Sequence, residues 1–248
     1  MTAPSTVTGH DRRQQTDLTV AQFAGLLLLV MAVALALRGL FPLADPPTHA
    51  SVGVVWHDEG AWTHNARNRV LFGTWSLDAW NPMYLTPVFT ALEYASFSLF
   101  GVGLWQARLV SEAAGLLSVL LLALAMKRVA GPTAGLAAGA LMAVNYVWVM
   151  WNRAALMETT MVAFMVASFY AAVRADQASR RGIALWGLAA GALAMLAFFT
   201  KAAAAFYLAA LGLAAVSSLA LGAFAMRRGG RAEGGAAMTL GWALAAGL

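Results

Sequence analysis

The chain contains no cysteine. Disulfides, thiolate metal sites and cysteine nucleophiles are therefore excluded. The absence does not fix a redox compartment, because it fits either one. Charge is scarce as well. Asp, Glu, Lys and Arg make up only 11% of the 248 residues, where a soluble domain carries about 25%. Apolar residues fill 61%, and the mean hydropathy is +0.70. So few charges cannot keep a globule of this size in solution. A soluble enzyme, a disordered chain and a nucleic-acid binder are excluded, despite a formal net charge of +5. What fits is an all-α polytopic membrane protein, whose helices satisfy their own backbone groups in lipid.

The charge-free runs locate the spans. Residues 18–37 and 129–152 carry no charge. Between Gly182 and Met226 the only charge is Lys201, and 109–126 and 154–173 hold only Glu112 and Glu158. A hydrocarbon core about 30 Å thick needs about 20 helical residues. Spans are predicted at 20–40, 105–127, 131–151, 156–174, 183–200 and 203–226, with a last one opening near 236. Residues 1–19 form a tail and 20–248 a transmembrane domain. That domain is expected to be incomplete, since its last helix is still running at Leu248. The first span follows Arg12 and Arg13, and Ala34-Leu35-Ala36 resembles a cleavage site. Its uncharged length exceeds a signal-peptide core, so it reads as an uncleaved anchor. Gly131, Gly135 and Gly139 recur every four residues, as do Gly187 and Gly191. Such spacing allows close helix packing, although a chain rich in Gly and Ala also produces it by chance.

Residues 83–101 are apolar but interrupted by Pro87, Glu93, Thr86, Thr90, Ser96 and Ser98. The positive-inside rule decides their place. With the N-terminus inside and 83–101 lying at the outer surface, Arg12, Arg13, Lys127, Arg128, Arg174, Arg180, Arg181, Arg227, Arg228 and Arg231 all face the cytoplasm. Those are 10 of the 16 basic residues. If 83–101 spans, only Arg12, Arg13, Arg108, Arg153 and Lys201 lie inside, 5 of the 16. The segment therefore reads as interfacial or re-entrant. The loop 42–104, the turn at 152–158 and Lys201 then share the outer side.

Loop 42–104 is the one long polar segment. It holds His49, His57 and His64, the carboxylates Asp45, Asp58, Glu59 and Asp78, and Trp56, Trp62, Trp75 and Trp80. The tryptophans suit an interfacial belt, and a surface histidine is usually only solvated. Asp58-Glu59 precedes a predicted short helix, 60–72. Carboxylates there complement the helix dipole, and capping alone accounts for Asp58. Equally, such a carboxylate can act as a general base, or Asp58 and Glu59 can hold a divalent cation through oxygen, with His57 and His64 as helpers.

The order of several weak motifs is more specific. Trp56-His57-Asp58-Glu59 follows the first span, then Leu71-Phe72-Gly73-Thr74-Trp75 and Asn81-Pro82-Met83-Tyr84. After these come Leu99-Phe100-Gly101-Val102, Ala107-Arg108-Leu109-Val110-Ser111, Gly115-Leu116-Leu117-Ser118-Val119, the run Asn152–Glu158, and Gly191–Lys201. Over about residues 20–210 the chain resembles membrane glycosyltransferases of the GT-C type, in particular the protein O-mannosyltransferases and lipid A aminoarabinose transferases. The resemblance implies transfer of a sugar from a polyprenyl-phosphate donor, without a nucleotide cofactor, to a protein, lipid or glycan acceptor at the outer face. It also implies a catalytic Asp in the first outer loop, which maps to Asp58 with Glu59 beside it, and an acidic residue that maps to Glu158. A single displacement would invert the anomeric centre. Family members usually have about twice this length, with further spans. In the aminoarabinose branch Glu-Lys precedes the loop proline, where this chain has Trp80-Asn81. The mannosyltransferase branch has His before that proline and a second proline after it, where this chain has Asn81 and Met83. Contacts made at those positions do not carry over.

Arg108, Arg153 and Lys201 are the cations that this topology brings to the outer face. They are candidates for the leaving phosphate or for structural support, and Glu158 belongs with them. Snorkelling to headgroups accounts equally well for Arg108 and Arg153. A cytoplasmic (inner) membrane fits these features. A transporter or a non-catalytic membrane module is the rival class, but no inverted repeat is visible.

Overall fold

In the computed structural model, residues 18–43, 57–75 and 86–228 are described, together with 235, 237–241 and 244. The expected tail 1–19 lies outside them apart from Leu18 and Thr19. So do Asp45, His49, Trp56, Asp78, Trp80, Asn81, Pro82, Met83, Tyr84, Arg231 and the side chains of His57 and Arg180.

Every regular element among the described residues is helical. In chain order they are α1 (Val20–Gly39), α2 (His57–Phe72), α3 (Pro87–Phe100), α4 (Leu104–Ala130), α5 (Pro132–Val144), α6 (Tyr146–Asn152), α7 (Met157–Asp176), α8 (Arg180–Thr200) and α9 (Ala205–Arg227). A short 3-10 turn, Ala202–Ala204, joins α8 to α9. The all-α polytopic bundle expected from the sequence is what forms.

Local chemistry sets the boundaries. Thr19 and Gln22 make a reciprocal capping box that starts α1, with Gln22 N donating to Thr19 Oγ1 at 3.2 Å and Thr19 N to Gln22 Oε1 at 2.9 Å. Gly131 adopts φ +91° between α4 and α5, a conformation that side chains disfavour. Pro132 then opens α5 in the first-turn position where its missing N–H costs nothing. One residue thus reverses the chain.

Helices α1, α4, α8 and the stretch Ala202–Arg227 are each long and apolar enough to cross a membrane. The chain is a multi-pass membrane protein. The single span expected at 131–151 is broken: α5 and α6 pass the same test together but bend by 63°. The break falls at Asn145, whose side-chain oxygen accepts from Trp148 N at 2.8 Å and starts a second helix. Helix α7, expected to span at 156–174, is too polar to qualify on its own. Its Thr159, Thr160 and Ser168 are buried against protein, not lipid. It packs along α4 and α8, and the link 177–179 to α8 is short. At 20 residues it has the length of a span, about 30 Å. Helix α3 has 14 residues, about 21 Å, too short to cross.

The glycine spacing has two different outcomes. A Cβ at Gly135 would stand 2.6 Å from Ala123 O, and one at Gly139 2.9 Å from Ala123 Cβ. Both glycines let α5 lie directly against α4. Gly131 is the turn.

The ends of the bundle differ chemically. At one end Arg128 donates to Gln177 at 3.1 Å, Lys127 sits 3.8 Å over the Phe23 ring and Arg174 4.5 Å over Trp186. The other end gathers the close of α1, the start of α4, the α6–α7 link and Lys201, and it holds the buried polar groups described next.

Candidate active site

Helix α1 closes on Arg38, which is fully buried. Its Nε donates to Asn152 Oδ1 at 2.7 Å, and its Nη1 to Ala34 O and Ala143 O at 3.1 and 3.0 Å. Arg153 takes up the carbonyls that the end of α1 leaves unpaired. Its Nη1 donates to Leu37 O, Arg38 O and Leu40 O at 2.9, 2.8 and 2.7 Å, and its Nη2 to Phe41 O at 2.8 Å. Phe41 itself has φ +53°, costly for a non-glycine residue. Two guanidiniums thus fix where the chain leaves the first span.

Glu59 ties three segments together, and Arg108 adds a fourth. Arg108 on α4 meets it with Nε to Oε1 at 2.8 Å and Nη2 to Oε2 at 3.0 Å. The amide of Ala155, in the α6–α7 link, donates to Oε1 at 2.8 Å. Arg108 Nη1 reaches back to Pro42 O at 2.7 Å. The carboxylate is 1% exposed. Next to it, Ser111 Oγ donates to Leu156 O at 3.0 Å, and Leu156 N to that Oγ at 3.2 Å. The start of α7 is therefore pinned to α4.

Asp58 and Glu59 lie in the first turn of α2, which begins at His57, three residues before the predicted start. Successive helix positions are about 100° apart, so the two carboxylates part company. Glu59 points into the protein and Asp58 is exposed. Glu59 has both oxygens occupied by Arg108 and Ala155. The described residues hold no group of three His, Asp or Glu side chains suited to an ion. His64 is turned to its own helix, its Nδ1 2.7 Å from Ala61 O. A cation shared by Asp58 and Glu59 does not fit this arrangement, and no step is derived through one.

Glu158, in the first turn of α7, pairs with Lys201 at the end of α8. The Lys201 side chain remains 34% exposed, so this cation, unlike Arg108, is reachable. Arg153 and Glu158, five residues apart, fall on either side of the α7 start and serve different partners.

Sequence reasoning marks the run Asn152–Glu158 but misses Arg38 and Glu112 as members of this cluster. Glu112 lies one turn along α4 from Arg108, within electrostatic reach of Arg153, Arg108 and Arg38. The available signal was an arginine closing an uncharged run of 20 residues.

In the sequence Glu93 stands out only as an interruption of an apolar stretch; in the structure it lies on α3. It is fully buried, and neither carboxylate oxygen has a hydrogen-bond partner among the described residues. Burial, helped by the nearby Glu59 carboxylate, pushes its carboxyl well above the usual range. A raised folded-state value leaves stability intact below the unfolded value of about 4.3 and erodes it as pH rises from there. Glu93→Gln is therefore expected to melt higher than the parent near neutral pH, with the two converging near pH 4. Thermal unfolding in detergent across pH checks this. Equal slopes for the two proteins would contradict it.

A family model described as dolichyl-phosphate-mannose-protein mannosyltransferase matches residues 84–226. That is more than half of the chain. The chain belongs to this mannosyltransferase family. It is thus a membrane glycosyltransferase of the GT-C type, as the motif order implied. The family match covers Glu93, Arg108, Arg153, Glu158 and Lys201, and begins after Asp58 and Glu59. No curated protein and no solved structure matches the chain.

Proposed function

We propose that the protein transfers a sugar from a polyprenyl-phosphate donor to an acceptor hydroxyl or amine at the outer face of the cytoplasmic membrane, with its N-terminus inside. The observation that carries this reading is the division of labour in the first turn of α2. Glu59 is clamped in the interior by Arg108 and Ala155 N, and the preceding carboxylate, Asp58, is exposed at the surface.

Asp58 takes the acceptor's proton as the acceptor atom attacks the anomeric carbon. The bond from that carbon to the phosphate oxygen breaks, and its electron pair leaves with the polyprenyl phosphate. Lys201 meets the growing phosphate charge, with Glu158 holding its ammonium. Arg108 and Arg153 act as positioning residues, since the hydrogen bonds above commit them to Glu59 and to backbone carbonyls. One displacement at the anomeric carbon inverts its configuration. The basic residues at the opposite end of the bundle support a cytoplasmic setting for that end.

The test is transfer by the purified protein in vesicles. Undecaprenyl-phosphate mannose is expected to serve as donor and GDP-mannose not to. Lys201→Met is expected to lower kcat/KM for that donor by about 10–100-fold, the worth of a hydrogen bond to a charged group, with partial recovery in Lys201→Arg. Direct transfer from GDP-mannose would overturn the reading.

A further inference from the structure

A cavity of about 420 Å³ opens at the end of the bundle opposite the candidate active site. Along α7 it lies about 27 Å from Glu158. Its depth is apolar: Leu211 and Ala214 of α9 line it together with Leu240 and Leu244. Leu211 and Leu244 belong to the buried cluster that joins α7, α8 and α9. From Leu211 to Ser218 the α9 wall extends about 10 Å along the helix axis. The mouth is polar, with Arg128 from the end of α4 and Asp176 and Gln177 from the end of α7.

Two cations converge at this mouth. Arg128 Nη1 donates to Gln177 Oε1 and Gln177 Nε2 to Arg128 O, both at 3.1 Å, which fixes Arg128 against α7. Arg174 Nη1 donates to the Tyr170 hydroxyl at 3.1 Å. That hydroxyl is also within hydrogen-bonding reach of Arg128. Guanidiniums from two helices therefore meet at one phenolic oxygen. Neither has a carboxylate partner among the described residues. Asp176 is exposed at the rim and pairs with neither. Two like charges held this close repel each other, and an anion between them relieves the repulsion. Guanidinium forks match phosphate oxygens in particular. The positive-inside rule accounts for cations at this end. It does not account for two of them on one oxygen beside an apolar cavity, an arrangement of the kind that binds anionic lipid head groups.

We infer that this cavity is a binding site for an anionic glycerophospholipid such as phosphatidylglycerol. The phosphate sits between Arg128, Arg174 and the Tyr170 hydroxyl, and one acyl chain lies against Leu211, Ala214 and Leu244. The lipid bridges α4, α7 and α9 at the end of the bundle where no carboxylate does so among the described residues. The site is separate from the transfer chemistry and does not depend on the identity of the donor.

The experiment adds dioleoylphosphatidylglycerol or dioleoylphosphatidylcholine to the intact, delipidated protein in detergent. Native mass spectrometry reads binding, and the unfolding temperature reads the stabilisation that binding brings. The anionic lipid is expected to bind at least about tenfold more tightly, the worth of a hydrogen bond between charged groups. In the double variant Arg128→Gln, Arg174→Gln that preference is expected to vanish. The double variant Arg227→Gln, Arg228→Gln removes the same charge from residues outside the cavity lining and is expected to keep it. Ala214→Phe, which fills the apolar wall, is expected to weaken binding of the anionic lipid by about tenfold or more, as loss of about two buried CH2 groups would. Glycerol 3-phosphate, a headgroup without chains, should not displace it. One readout needs no variant. Phosphatidylglycerol with a photoreactive group midway along an acyl chain should label α9 and the segment that holds Leu240 and Leu244. Equal affinity for the two lipids would overturn the inference. So would a preference lost equally in both double variants or kept in both, unchanged binding in Ala214→Phe, displacement by glycerol 3-phosphate, or labelling confined to other helices.

Discussion

Arg108→Ala is expected to cost about 3–5 kcal/mol of stability, among the largest losses any single substitution in this chain can cause. The reason lies in what remains. Glu59 would stay inside the protein at 1% exposure with only the Ala155 amide to answer its charge, and the Pro42 carbonyl would lose its donor. Glu59→Ala strands the guanidinium in the same way. The double variant removes both charges together, so its loss should fall well short of the sum of the two single losses. Denaturation of the four proteins in detergent measures the cycle. Additive losses would mean that the two side chains do not act as a pair. The consequence for activity follows from geometry. Glu59 binds α2 to α4 and to the α6–α7 link, so loosening it releases the helix turn that aims Asp58.

The same cluster explains what the sequence disclosed and what it hid. Spans stand out because a charge-poor chain has long gaps between its charges. α1, α8 and α9 begin and end within a few residues of the limits those gaps imply. The break at Asn145 lies inside an uncharged run and changes no charge pattern, so only the capping chemistry of one asparagine marks it. Helix α7 is less apolar than a lipid-facing span because Thr159, Thr160 and Ser168 face protein, and burial by neighbours is invisible to local composition.

The candidate site was legible for a related reason. In a chain with so few charges, Asp58, Glu59, Glu158 and Lys201 are conspicuous. Their partners were not. Arg153 binds carbonyls of residues 37–41 and Arg38 binds Asn152, more than 100 residues apart in each case. Backbone carbonyls carry no residue-type signature, so an arginine committed to them reads, in sequence, like an arginine waiting for a phosphate. The inward turn of Glu59 likewise depends on α2 beginning at His57, which puts both carboxylates on the helix.

Asp58→Asn should lower the rate of transfer by about 10²–10⁴-fold, the usual worth of a positioned general base. Asparagine keeps the shape and the first-turn position but cannot accept the acceptor's proton. Asp58 is exposed, so the change should leave the fold intact, in contrast to Arg108→Ala. A base of the kind proposed for Asp58 acts only in the chemical step, so kcat should fall and the apparent KM for the lipid donor should change little.

The most direct measurement is single-turnover transfer from undecaprenyl-phosphate mannose in vesicles, with the parent protein and Asp58→Asn matched for unfolding temperature. The variant is expected to bind the donor as the parent does, to melt at the same temperature and to transfer at least about a hundredfold more slowly. Transfer by a well-folded Asp58→Asn protein at the parental rate would contradict it.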